Sequence, residues 1–513
     1  MNLYTLLESG FPTDRNSICL EVPGGRDRTW SEIERGSARI ANWLTSLGIP
    51  KGSRVAASVE KSPEGLMLYL AVLRAGFAFL PLNTAYRDAE LEYFVGNATP
   101  AVVVCPGKSL DWIEPIAKRT NVAHVVTLNE DGTGRLIDAA AAQRDTFAAV
   151  EVSDDALASI LYTSGTTGRS KGAMLTHGNL GSNALVLREH WGWRSDDVLL
   201  HMLPIFHIHG LFVALNGALL AGAKMIWLPK FDAKAAIRHL PHSTVMMGVP
   251  TFYVRLLADA GFTRDLCRQM RLFVSGSAPL LLETFTAFQE RTGFTILERY
   301  GMSETGMLVS NPYHDKDGRR FGGTVGKPLP GVSLRITGDD GRLCKPGEVG
   351  MIEVKGAGVF KGYWQMPEKT QEEFTADGWF RTGDMGRFGG EAAGVRIPDE
   401  YVSIVGRDKD LIISGGFNVY PKEIEGFIDD IEGVEESAVV GVPHPDFGEA
   451  GVAIVVPKPG ATLDAAQIRA FLKTKIANFK VPKQVVIVPE LPRNTMGKVQ
   501  KNVLREPHRN SLL

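Results

Sequence analysis

The chain has 513 residues, 44% hydrophobic and 22% charged, and its 56 basic and 58 acidic side chains leave a formal charge of -2. That composition belongs to ordinary globular protein, enough for about three or four structural units at roughly 150 residues each. It excludes a disordered chain, and it supplies no basic excess for gripping nucleic acid. Cys19, Cys105, Cys267 and Cys344 form no C-x-x-C pair. Neither a disulfide framework nor a thiolate zinc site is expected, and a reducing, cytoplasmic setting fits. The opening MNLYTLLESGF lacks the basic and apolar regions of a secretory signal. The most apolar window, 211–223, is broken by Asn216 and too short to span a bilayer, so no integral membrane association is expected.

In chain order, Thr29 and Glu32 form a capping box ahead of Ile33, Ile40, Leu44 and Leu47 at helical spacing. RVAASV (54–59) and PAVVVC (100–105) are strands, with a helix from Pro63 to Arg74 between them. Further strands are expected at 157–162, 198–203, 224–228, 243–247, 271–275 and 295–300. Helices are expected at 210–222, 232–240, 250–260 and 280–292. Strand–helix alternation with short links predicts an α/β chain whose mostly parallel sheets are covered by helices. From about 322 to 405 Gly and Pro become frequent and helices vanish, which predicts a β-rich subdomain. Beyond a boundary near 406–410 lies a small α+β unit: a helix from Pro421, strands near 436–442, 451–456 and 484–488, and a helix near 464–475.

The strongest local signal is Tyr162–Gly172, YTSGTTGRSKG, directly after a buried strand. Backbone N–H groups of such a loop, with the hydroxyls of Thr163, Ser164, Thr166 and Thr167, suit a polyphosphate, and Gly165 and Gly168 let the backbone turn inward. Lys171 adds a point charge. The spacing is not that of a Walker A loop.

At this string the chain resembles the adenylate-forming acyl-CoA synthetases and their luciferase and peptide-synthetase adenylation relatives. Four more motifs match in order: RYGMSET (299–305), Gly383-Asp384, GRDKDLIISGG (406–416) and PRNTMGK (492–498). The resemblance spans nearly the whole chain. It implies a large N-terminal AMP-binding domain, 1–407, and a small mobile C-terminal domain, 408–513, with the hinge at Lys409. It implies ATP, Mg2+ and CoA as cofactor and co-substrates. Glu304 and Thr167 would hold Mg2+, a hard cation that takes oxygen ligands. Thr305 would contact phosphate. Arg299, Tyr300, Gly301 and Met302, with Ser277, Ala278 and Pro279, would frame adenine. Asp384 and Arg407 would bind ribose. Lys498 would stabilise charge during adenylation. Ser414, Gly415 and Gly416 would swing toward the site to admit the CoA arm.

The acyl pocket decides the acid. LPIFHIHG (203–210) places His207 near the acyl and adenylate site. His201, His207 and His209 are not expected to bind metal, since the i, i+2 spacing precedes a helix and no carboxylate or cysteine lies nearby. GVPTFYVRLL (248–257) sets Arg255 in a mostly apolar helix. A buried guanidinium needs an anion, and the second carboxylate of a dicarboxylic acid fits its fork. The alternative has Arg255 facing outward or paired with Asp259. Together PIFHIHGLF, GVPTFYVRLL and RYGMSETGM resemble the malonyl-CoA synthetases of this family. The implied substrate is malonate, with methylmalonate as a further candidate, and Arg255, His207 and Ser277 would hold its carboxylate. Alternatives are a medium-chain or aryl ligase, an enzyme loading a carrier protein in trans, and a nucleotide-binding protein without catalysis. RFGGEAAGVRIPDE (387–400) is longer than the usual family turn and is expected to form an exposed loop. Nothing in the sequence fixes an oligomeric state.

Overall fold

The computed structural model describes the chain except Arg87, 164–169, 315–316, Ala393, 415–416, Asp446, Ala477 and 495–496, and the side chains of Ala392, Lys409, Ile413, Phe417 and Asn418. Two helix-covered sheets form the larger part. One has six strands in the order His124–Thr127, Val102–Cys105, Arg54–Ala57, Ala78–Pro81, Leu157–Thr163, Lys171–Thr176. All its pairs are parallel except the last, which is antiparallel. Its strands Arg54–Ala57, Ala78–Pro81 and Val102–Cys105 are almost wholly buried and read as continuous apolar runs, as parallel strands covered on both faces must.

The second sheet has nine strands. At its centre Leu297–Met302, Leu272–Ser275, Val245–Gly248, Val198–His201 and Lys224–Trp227 run parallel. The loops leaving the C-terminal ends of Val198–His201, Leu272–Ser275 and Leu297–Met302 carry His207, Ser277, Ala278, Pro279, Glu304 and Thr305, the place where open α/β sheets put their ligands. The capping box predicted at Thr29 is present and starts helix Trp30–Ser46. The apolar stretch after His209 opens as a seven-residue π-helix, His209–Leu215, and continues as α-helix Asn216–Ala221. π-Helical turns are rare and concentrate at functional sites.

The β-rich subdomain is a four-stranded antiparallel sheet, Ser333–Thr337, Gly350–Lys355, Phe380–Ala392 and Val395–Arg407. Here the structure corrects one expectation. Residues 387–400 do not form an exposed loop. They lengthen the two last strands into a long hairpin, with Phe388 opposite Val402 and Gly390 opposite Ile397. Ile397 is buried, and with Val395 it closes one side of a cavity of about 950 Å³ against Phe285, Phe294 and Phe321. None of the predicted site residues lines that cavity.

The chain beyond Ile412 builds its own cores. One packs Ile412, Ile424, Ile428, Val439 and Leu472, and another packs Val440, Ile454 and Leu504. Its sheet joins Val434–His444 to Gly448–Pro457, with Gln484–Ile487 added in parallel.

Candidate active site

The phosphate loop joins two antiparallel strands, so Thr163 and Lys171 sit opposite one another. Ser164, Gly165, Thr166, Thr167 and Gly168 lie outside the described residues. Lys171 Nζ lies 3.1 Å from Glu373 Oε1 and 4.3 Å from the centre of the Tyr363 ring. Glu304 is 4% exposed. Its Oε1 accepts from the Tyr363 hydroxyl at 3.1 Å and from Thr163 Oγ1 at 3.3 Å. Burial raises the carboxyl's pKa, and those hydrogen bonds with the charge of Lys171 oppose the rise. Thr305 is fully buried, and its hydroxyl donates to the Gly306 carbonyl at 3.0 Å and accepts from Met302 N–H at 3.4 Å. It shapes the turn beneath Glu304 rather than facing an open cleft.

Tyr300, Gly301 and Met302 end the strand Leu297–Met302. The Tyr300 hydroxyl donates to Asp384 Oδ2 at 2.6 Å. Asp384 and Arg407 are register partners in the long hairpin, and Arg407 Nε reaches Asp384 Oδ1 at 3.3 Å. The Tyr300 hydroxyl, the Asp384 carboxylate and the Arg407 guanidinium are thereby fixed together. On the other side the loop after Leu272–Ser275 carries Ser277 at φ +72, a strained conformation for a residue with a side chain. Ala278 is half-buried and Pro279 exposed. Leu280 N–H donates to the buried Glu298 Oε1 at 3.0 Å and anchors this loop.

Arg299 is 3% exposed, and its Nε and Nη2 have no hydrogen-bond partner among the described residues. A Cβ on Gly276 would stand 2.4 Å from its Cζ, so only glycine leaves room for this guanidinium. Burial lowers its pKa to about 9, and the charge survives at neutrality. The same charge presses on His207, His209 and Lys498. Burial, then Lys498 and Arg299, lower the pKa of His207 to about 3, so the imidazole is neutral at neutral pH. His209 Nδ1 lies 3.3 Å from Ser277 Oγ, and its Nε2 is buried without a partner among the described residues.

Lys498 follows Gly497, whose φ of +74 turns the chain inward beside Thr251. Its pKa is lowered, first by burial, and its charged neighbours are Arg407, Asp384, Glu304 and Arg299. The terminal lysine therefore stands within the site built by the larger part of the chain.

Arg255 is exposed rather than buried among the apolar residues of its helix. On helix Pro250–Ala258 the buried residues are Tyr253 and Leu256, and Arg255 lies with Val254 on the exposed side. One turn of helix separates the buried positions, and 255 falls between them. The buried guanidinium of the site is Arg299. Ser414 is buried in the small sheet opposite Phe417 and Gly448. Gly415 and Gly416 lie outside the described residues. Lys409 sits in the single turn Asp408–Asp410, its side chain not described.

Sequence reasoning missed Tyr363 and Glu373, which meet Glu304 and Lys171 across 59 and 202 residues. It also missed Glu298 as the anchor of the 276–280 loop. No local pattern marks such partners; only the packing of the subdomain against the phosphate loop does.

Residues 9–364 match the family model described as AMP-binding enzyme, and 423–498 match the AMP-binding enzyme C-terminal domain. The chain belongs to the AMP-binding enzyme family. Among family relatives, a mitochondrial malonate–CoA ligase of Mus musculus, ACSF3, is 36% identical over 84% of this chain and 77% of its own length. A feruloyl-CoA synthase of an Amycolatopsis species is 34% identical over 94% of each chain. ATP-bound MatB from Rhodopseudomonas palustris matches with a TM-score of 0.95 and 52% identity, over 100% of this chain and 99% of its own. Among the described residues no helix is long and apolar enough to cross a membrane.

Proposed function

We propose that this protein is an ATP-dependent malonate:CoA ligase. The observation that carries the choice of acid is Arg299. Its two unpartnered donors, Nε and Nη2, form one edge of a guanidinium, the edge a carboxylate meets with two parallel hydrogen bonds. No carboxylate side chain pairs with it among the described residues. A substrate with a second carboxylate would pair with those donors; a monoacid or an aryl acid would leave them unsatisfied, at about 1–3 kcal/mol for each buried group. Malonate–CoA ligases among the relatives support the same acid.

In the first step one malonate carboxylate oxygen attacks the α-phosphorus of ATP. The bond to the bridging oxygen breaks, giving malonyl-AMP and pyrophosphate. Lys498 offsets the charge gathering between the two anions, in a pocket where burial strengthens that attraction. In the second step the CoA thiol gives its proton to solvent and attacks the acyl carbon of malonyl-AMP, and the bond from that carbon to the phosphate oxygen breaks, giving malonyl-CoA and AMP. Tyr300, Asp384 and Arg407 hold the nucleoside, and neutral His207 can donate a hydrogen bond without adding charge.

Glu304 with the hydroxyl oxygens of Thr163 and Tyr363 is an all-oxygen set. One carboxylate suits Mg2+, which keeps waters and takes substrate phosphates. When bound there it would neutralise phosphate charge. The division at 407–408, with Lys409 as hinge and the 414–416 loop serving the CoA step, is part of the same proposal.

The test is pyrophosphate release with malonate, methylmalonate, acetate, hexanoate, benzoate and ferulate. Malonate should lead. Arg299→Met should lower kcat/KM for malonate about 100-fold, with the KM for ATP little changed. Preference for a monoacid or ferulate would favour a general or aryl ligase.

A further inference from the structure

Lys61 lies between strand Arg54–Ala57 and helix Pro63–Arg74, and it is only 9% exposed. Its Nζ is 2.7 Å from His201 Nδ1 and 2.9 Å from the His201 carbonyl oxygen. It also lies 4.4 Å from the centre of the Trp227 ring. No carboxylate pairs with it among the described residues. His201, at the end of strand Val198–His201, is 1% exposed, and its Nε2 lies 3.0 Å from the Gly210 carbonyl. A carbonyl only accepts, so Nε2 carries the proton and Nδ1 offers a lone pair to Lys61. The Lys61 nitrogen thus has a partner in each of three directions: an imidazole nitrogen, a carbonyl and an aromatic face.

These contacts join three elements. Lys61 belongs to the end of the six-stranded sheet, His201 to the end of the nine-stranded sheet, and Gly210 to the first turn of the π-helix. Between His201 and Gly210 runs the loop that bears His207 and His209. That loop is folded tightly on itself. Leu211 N–H donates to the His207 carbonyl, His209 N–H reaches His207 Nδ1 at 3.3 Å, and a Cβ on Gly210 would stand 2.1 Å from the Pro204 carbonyl.

A buried lysine without a counter-ion is costly. An apolar side chain of equal length would fill the space but leave the His201 ring and carbonyl without donors. We propose that Lys61 and His201 are positioning residues, a buried brace that holds the 203–210 loop so that His207 and His209 face the acyl group. The proposal rests on the reading of this pocket as the acyl site. The brace touches no substrate; it acts through the loop, where a displacement of about 1 Å can lower a rate 100-fold.

The test uses the full-length protein, with pyrophosphate release measured against both acid and ATP, and with whichever acid the wild-type enzyme turns over. Failure of malonate as a substrate therefore refutes the functional proposal alone. Lys61→Met and His201→Phe should each lower kcat about 10- to 100-fold while the KM for ATP stays within about twofold. His201→Gln, which keeps an N–H for the Gly210 carbonyl, should recover most of the rate lost in His201→Phe. Folded Lys61→Met with wild-type kcat would overturn the proposal. So would His201→Gln no better than His201→Phe, a comparison that stands even where Lys61→Met fails to fold.

Discussion

Glu298 and Arg299 are neighbours on one strand, and strand geometry sends their side chains to opposite faces of the sheet. Arg299 packs its guanidinium against Gly276. Glu298 faces the other way, accepts the Leu280 N–H, and leaves Oε2 buried without a partner among the described residues. Burial raises its pKa from 4.5 to about 7. A carboxyl with a raised pKa in the folded chain contributes stability below its unfolded value, and that contribution is lost as pH rises through the folded value. Between pH 4.5 and about 7 the wild type should therefore lose up to about 3 kcal/mol relative to Glu298→Gln, which keeps an acceptor for Leu280. Denaturant midpoints of both proteins across this range test it, and parallel curves would refute it. Arg255 and Arg299 show what a residue's neighbours in sequence can and cannot reveal. Arg255 stands among apolar residues, yet helical periodicity turns it outward. Arg299 stands in a nucleotide motif, and its guanidinium lies buried against Gly276, just past the end of the adjacent strand, where a Cβ would crowd it.

At the scale of elements, strands and helices followed from apolar runs, caps and turn residues, since those are local. Residues 387–400 behaved otherwise. Their length beyond the usual family turn suggested an exposed loop, but the two halves pair through Arg387–Ser403, Phe388–Val402 and Gly390–Ile397. What makes this a hairpin is Ile397, 1% exposed against the rest of the fold. Ile397→Ala should lower unfolding stability by about 2–4 kcal/mol, readable as a shift in denaturant midpoint. A loss under about 0.5 kcal/mol, the range of an ordinary surface change, would mean the tip is not packed in solution. The phosphate loop likewise gave its composition to inspection but not its brace. Glu373 and Tyr363 come from a Gly- and Pro-rich stretch whose own sequence marks neither as a partner of this loop.

At the scale of the molecule, Lys498 belongs to the small C-terminal unit yet has Arg407, Asp384, Glu304 and Arg299 as its charged neighbours. Lys458 reaches Glu283 across the same junction at 2.8 Å. On the proposed reading this arrangement presents the lysine for adenylation. Lys498→Ala should reduce pyrophosphate release by about 100-fold or more, while thioester formation from supplied malonyl-adenylate and CoA stays within several-fold of wild type. Equal loss in both half-reactions would refute the division of labour.

The sequence alone determined the family and the order of its two matched regions, because those depend on short strings whose backbone and side-chain chemistry act locally. Only the tertiary structure decided which arginine is buried without a partner, which residues steady Glu304 and Lys171, and how a lysine at position 61 supports a loop near position 207. Each of those depends on desolvation and contact between segments far apart in the chain, and no spacing along one dimension records them.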